Sequence, residues 1–224
     1  MVTKKSALLT GLALLLSASA FFARADVTFN LDTLINGTPP VGSTPWLTAT
    51  FEDIAAGQVK LTLTNNMPAG EFIDTVVFNS ILNPTSFLFV ATQPPFVNSV
   101  TRHSSQDLTG GSNMKAGLFN IEFQFQIPAS PNPGRFDGGM TSVWDITGTG
   151  LTSSSFLLQS IDDGQMVGGP YYMAAHVQGI PDITGTLSGS IGAVPEPETY
   201  AMMLAGLGLM GFVARRRRRQ GAAA

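Results

Sequence analysis

The 224-residue chain contains no cysteine, which excludes thiol nucleophiles, zinc–thiolate sites and iron–sulfur ligation. Its formal net charge of −3 hides a division: residues 26–193 hold four basic and thirteen acidic residues, a net charge of −9, while eight of the twelve basic residues lie at the two ends. So acidic a central stretch has no electrostatic footprint for nucleic acid, and its charge favours solubility.

Lys4 and Lys5 form a positive n-region, and residues 7–16 an apolar h-region broken only by Thr10 and Gly11. Ala23-Arg24-Ala25 follows as a small-x-small cleavage site. This pattern predicts a secretory signal peptide over residues 1–25, export through the Sec machinery, and a mature chain beginning at Asp26. The h-region is too short to stay in a bilayer as a span.

Residues 26–193 are long enough for one domain with a sizeable core. Short apolar runs alternate with clusters of Gly, Pro, Asn, Asp and Ser. Period-two alternation predicts strands at 27–31, 46–51 and 59–64, with a turn over 65–70. Further strands are expected at 73–78, 87–90, 119–127, 142–146, 171–177 and 183–191. The clearest is 119–127, with Phe119, Ile121, Phe123, Phe125 and Ile127 on one face and Asn120, Glu122, Gln124 and Gln126 on the other. Residues 151–160 read either as a short helix capped by Ser153 to Ser155 or as another strand. Many short strands with Pro- and Gly-rich turns predict an all-β antiparallel sandwich, jelly-roll-like or immunoglobulin-like. There is no internal repeat of solenoid or propeller type.

The C-terminal segment has three parts: Val194, Pro195, Glu196 and Pro197; an uncharged run over 200–214 containing Gly206, Gly208 and Gly211; and Arg215, Arg216, Arg217, Arg218 and Arg219. Residues 220–224 are expected to be a disordered end. The prolines bar a helix from running back through them. As a helix at about 1.5 Å per residue the apolar run spans roughly 22 Å, short of the roughly 30 Å hydrocarbon core. The arginines hold that end on the cytoplasmic side. A separate transmembrane-type helix that pauses in the membrane is expected, with a permanent anchor as the alternative.

This three-part order resembles the PEP-CTERM sorting tail of exported proteins of Gram-negative bacteria. The resemblance implies recognition by an exosortase, a membrane-embedded cysteine transpeptidase, and processing near the Pro-Glu-Pro. The stretches 115–123 (Lys-Ala-Gly-Leu-Phe-Asn-Ile-Glu-Phe) and 174–180 (Ala-Ala-His-Val-Gln-Gly-Ile) also resemble a group of such proteins from proteobacteria. That likeness supplies no catalytic residue.

Candidate chemistry inside the domain is sparse. His103, Ser104, Ser105 and Asp107 share one segment, but triad members come from distant segments and no Gly-x-Ser-x-Gly occurs, so the segment reads as a polar loop. His176 reads as a strand histidine, hydrogen-bonded or half exposed, and no ligand spacing joins it to His103 in a metal site. Asp137, Asp162, Asp163 and Asp182 could offer oxygens to calcium, yet Asp-Gly pairs are first of all turn residues. Glu122, Asp137 and Asp145 are the candidates for paired carboxylates of glycan hydrolysis, Glu122 being expected as an exposed acid on the polar face of its strand. Trp46, Trp144, Tyr171 and Tyr172 could form a sugar-stacking platform, with core packing as the alternative. The reading that follows is a non-enzymatic exported protein without cofactor or metal, structural or interacting, associated with exopolysaccharide. The alternatives are a secreted carbohydrate-binding or glycan-hydrolysing protein and a calcium-dependent adhesive domain.

Overall fold

The computed structural model describes residues 26–94, 97–110, 113–127, 135–183 and 185–194, together with 207, 208 and 210. Among the described residues, 26–194 form strands joined by turns and two short 3-10 turns, and every strand pair is antiparallel. One sheet has five strands in the order β1 (Val27–Leu31), β3 (Leu47–Ala55), β4 (Gln58–Asn65), β10 (Thr141–Thr147) and β6 (Leu88–Gln93). The other has the order β2 (Thr33–Gly37), β12 (Gly185–Ala193), β11 (Met173–Asp182), β5 (Phe72–Phe78), β8 (Ile121–Phe125) and β7 (Val97–Arg102), with β9 (Phe136–Asp137) also on β5.

The sheets share one apolar core because alternate residues of each strand face the other sheet. Phe29, Leu31, Leu47, Ala49, Phe51, Leu61 and Leu63 enter it from the first sheet, and Ile73, Val76, Phe78, Ile121, Phe123, Ala175 and Val177 from the second. Phe51 stacks on Phe156 at 4.2 Å between centroids and meets Phe78 edge-on at 5.6 Å, and Phe78 meets Phe123 at 5.3 Å.

Residues 151–160 are neither a strand nor a full helix. A single 3-10 turn, Ser153–Phe156, drops Phe156 into the core. Asp53 caps it from a neighbouring strand: its carboxylate accepts the Ser153 N–H at 2.6 Å and the Ser153 hydroxyl at 3.1 Å. The expected strand over 119–127 is shorter and bent at its ends. Ile121, Phe123 and Phe125 face the core, but Phe119 turns to a second cluster and Ile127 is exposed. Asn120 is buried, exchanging two hydrogen bonds with the backbone of Ser80. These side-chain bonds replace ladder bonds and end the strand.

That second cluster covers part of the outer face of the seven-stranded sheet. Segments 103–120 and 160–171 pack Met114, Phe119 and Tyr171 onto Val77 and Ala174. The segments are tied by the bridges Leu108↔Phe119 and Leu118↔Ile161. The Tyr171 hydroxyl donates to Val167 O at 2.6 Å, and burial pushes the phenol above its ordinary value of 10.0.

Glu71 is buried just before β5, and both of its oxygens accept from the Val41 N–H. Burial raises its carboxyl above 4.5, against the smaller opposing effect of the Val41 bond. The folded state therefore binds more protons than the unfolded chain just above that pH, and stability falls as pH rises through the raised value. Glu71→Gln keeps an acceptor for Val41 and removes the charge. Denaturation curves of the two proteins should converge towards pH 4.5 and separate above it, with the variant the more stable. Curves that stay parallel across this range would refute the assignment.

Candidate functional site

The rest of that outer face is polar. β5 brings Asp74 and Thr75, β8 brings Glu122 and Gln124, β11 brings His176 and Gln178, and β7 brings Ser99 and Thr101. Register sets Ser99, Gln124, Thr75 and His176 in one row across four strands.

The row is organised by a β-bulge. Pairing between β5 and β11 jumps from Thr75↔His176 to Ile73↔Val177, so Asp74 is an extra residue. A bulge lets two successive side chains stand on one face. Ile73 and Val76 keep their places in the core while Asp74 joins Thr75 outside. The Asp74 carboxylate, 8% exposed, lies 2.9 Å from His176 Nδ1 and accepts from Gln178 Nε2 at 2.5 Å. On the other edge of β5 the partner also changes here, since β8 pairs Thr75 to Phe78 and β9 pairs Phe72 and Ile73. A cavity of about 500 Å³ opens at this handover, between Asp74, Thr75, Asn98, Gln124, Gln126 and Ile127.

Glu122 is not the exposed acid its alternation suggested. It is 7% exposed and accepts from Gln124 Nε2, and the Ser99 hydroxyl donates to Gln124 Oε1 at 3.3 Å. Glu122 faces Val77 while Asp137 faces Phe72, five residues along β5, which is roughly 17 Å at about 3.3 Å per residue. Asp145 lies on the other sheet, opposite Lys60. Catalytic carboxylates of glycosidases stand about 5–9.5 Å apart, so these three do not form such a pair.

The other candidates stay apart as well. His103 Nδ1 lies 2.5 Å from Asp107 Oδ1, and the Ser105 hydroxyl donates to Asp107 Oδ2 at 3.4 Å, so serine and histidine lean on one carboxylate instead of on each other. Ser190 stands opposite His176 on β12, but no hydrogen bond joins their side chains among the described residues. Asp162 and Asp163 accept from the backbone N–H of Gly164 and Gln165, closing a turn. Asp137 pairs with Arg135 at 2.7 Å, and Asp182 pairs with Gly185 at the tip of the β11–β12 hairpin. No three His, Asp or Glu converge on a metal-sized site among the described residues.

The aromatic platform is not formed. Trp46, Trp144 and Tyr171 are buried, and Tyr172 is half-buried and stacked on Phe29 at 5.2 Å. Trp144 packs against Phe123 and donates its indole N–H to Ser142 Oγ at 2.9 Å.

Asp74 was hidden in a run read only as a strand. The signal was the pair Asp74-Thr75 inside Ile73 to Phe78, where two adjacent polar residues break the period of two and mark a bulge.

The sorting residues Pro195, Glu196 and Pro197, the arginines and most of the apolar run lie outside the described residues, as do residues 1–25. Leu207, Gly208 and Met210 are helical. No helix among the described residues is long and apolar enough to cross a membrane. Val194 packs against the second cluster, directly after β12.

Residues 193–219 match the family model of the PEP-CTERM protein-sorting motif. No curated protein and no solved structure matches the chain. The motif implies export, processing by an exosortase, and a cell-surface or extracellular destination.

Proposed function

We propose, with the sorting motif at residues 193–219 as the premise, that the chain is an exosortase-sorted surface or matrix protein whose β-sandwich serves as a non-enzymatic interaction module within exopolysaccharide. In this reading residues 1–25 are a cleaved leader, 26–193 the cargo and 194–219 the address. The run 200–214 pauses in the inner membrane, with Arg215 to Arg219 on the cytoplasmic side, until the exosortase acts. The sandwich is jelly-roll-like, because the chain repeatedly changes sheet between consecutive strands. The matched tail is the observation that carries this reading. The separation of Glu122, Asp137 and Asp145 disfavours hydrolysis by that set of carboxylates.

The test is the combined substitution Pro195→Ala, Glu196→Ala and Pro197→Ala in an exosortase-bearing host. The unaltered protein should appear outside the inner membrane with a mass lower than the full chain by both a leader and part of the tail. The variant should keep its tail and fractionate with the membrane. An identical mass and location for both would sink the sorting reading.

A further inference from the structure

We infer that the cavity at the Asp74 bulge is a binding site for a neutral, hydroxyl-rich saccharide. This deepens the proposed role and rests on the domain working among glycans.

The argument starts from the hydrogen-bond inventory. Asp74 and Thr75 line the cavity, and the Asp74 carboxylate is a fixed acceptor, already held in place by the Gln178 amide. Gln124, Gln126 and Asn98 stand exposed around them, and each primary amide both donates and accepts. A sugar hydroxyl does the same, so it can donate to a carboxylate while accepting from an adjacent amide. Ile127, largely exposed, supplies apolar surface in the same cavity, as the C–H faces of a sugar ring require.

Charge decides against other ligands. Among the described residues no lysine or arginine lines the cavity, and the Asp74 carboxylate repels an anion. Arg135, placed at the β9 end of the sheet, is stacked over Phe72 at 4.3 Å and ion-paired with Asp137. A cation would find a single carboxylate in the cavity wall, and no three His, Asp or Glu converge there among the described residues. A neutral polyol meets no such penalty. The cavity also has a built frame: the bulge fixes Asp74 between two partners, so its acceptor is pre-organised before a ligand arrives.

The test uses the full chain, purified in a non-glycosidic detergent, against immobilised neutral, acidic and amino-sugar oligosaccharides, with titration calorimetry on any hit. At least one neutral oligosaccharide should bind. Gln124→Ala combined with Asn98→Ala should weaken it about tenfold, the size expected when hydrogen bonds to a ligand are lost. Both side chains are exposed, but Gln124 also holds the buried Glu122, so a melting curve of the double variant matching wild type is the check that the fold survives, and Asn98→Ala alone should weaken binding in the same direction. Thr62→Ala on the other sheet should leave binding unchanged. Binding only to acidic or cationic glycans, no binding at millimolar ligand, or equal binding by wild type and the double variant would each overturn the assignment. None of these outcomes depends on where the protein is sorted, so a failed site and a failed address are told apart.

Discussion

Phe51→Ala is expected to remove about 3–5 kcal/mol of folding stability, the range for deleting a buried aromatic ring. Phe51 is fully buried in β3 and touches rings from three other parts of the chain: Phe29 in β1, Phe78 in β5 and Phe156 in the 3-10 turn. Those neighbours belong to both sheets and to the crossing between them, so the cavity cannot be closed by shifting one element. For a domain of this size each kcal/mol lowers the midpoint by about 2–4 °C. Urea denaturation should show a lower midpoint with an unchanged slope. Leu88→Ala, on an exposed position of edge strand β6, should change stability by less than about 0.5 kcal/mol. Similar losses for the two variants would mean that the core is not organised around Phe51.

Gly138→Ala should be the most damaging of the glycine substitutions near the sheet end. A Cβ at this position would lie 2.1 Å from Pro68 O and 2.3 Å from Met67 O, both backbone atoms that no rotamer change can move. The two loops would have to part. With them would go the bonds from Gly138 N to Glu71 O and from Gly139 N to Asn65 O, at 2.9 and 2.8 Å. Overpacking alone costs about 1–3 kcal/mol, and each broken hydrogen bond adds about 1 kcal/mol. Gly139→Ala is the comparison: its Cβ would meet nothing within 4 Å, but its φ of +81° carries a left-handed penalty of about 1–2 kcal/mol. Thermal melts should rank wild type above Gly139→Ala, and Gly139→Ala above Gly138→Ala. The reverse order would show that backbone conformation, not the approach of the loops, governs this corner.

Strands with strict alternation were legible in the sequence, because a half-buried strand writes its burial pattern directly into residue order. β1, β3, β4 and β10 all show it. β2 and β7 were not legible: they are edge strands with mixed exposure, where register comes from the neighbour and not from local pattern. β5 was found as a strand, but all seven of its residues are buried, so periodicity could not say which side Asp74 takes. The 3-10 turn at Ser153–Phe156 has a local capping box between Thr152 and Ser155, but its further bond to Asp53, a hundred residues earlier, is one that no local reading can supply. Of the site, His176 reads as a strand histidine, hydrogen-bonded or half exposed; it lies in β11, 2.9 Å from the Asp74 carboxylate. Its partner Asp74 and the cavity needed three-dimensional register. The tail is written in order and charge alone, and so was readable without any structure.

The place where the tail joins the domain has a mechanical consequence. β12 ends at Ala193, one residue before the Pro-Glu-Pro segment begins with Val194, and it lies inside its sheet, not at an edge. It is bonded to β11 from Met173↔Ala193 to Asp182↔Gly185 and to β2 on its other side. A pull on residue 194 directed along β12 would load both ladders in shear, so that many hydrogen bonds must yield together. The same pull on an edge strand, directed across the ladder, would open it one bond at a time. Tethered by this end, the sandwich would bear drag from a moving matrix without peeling.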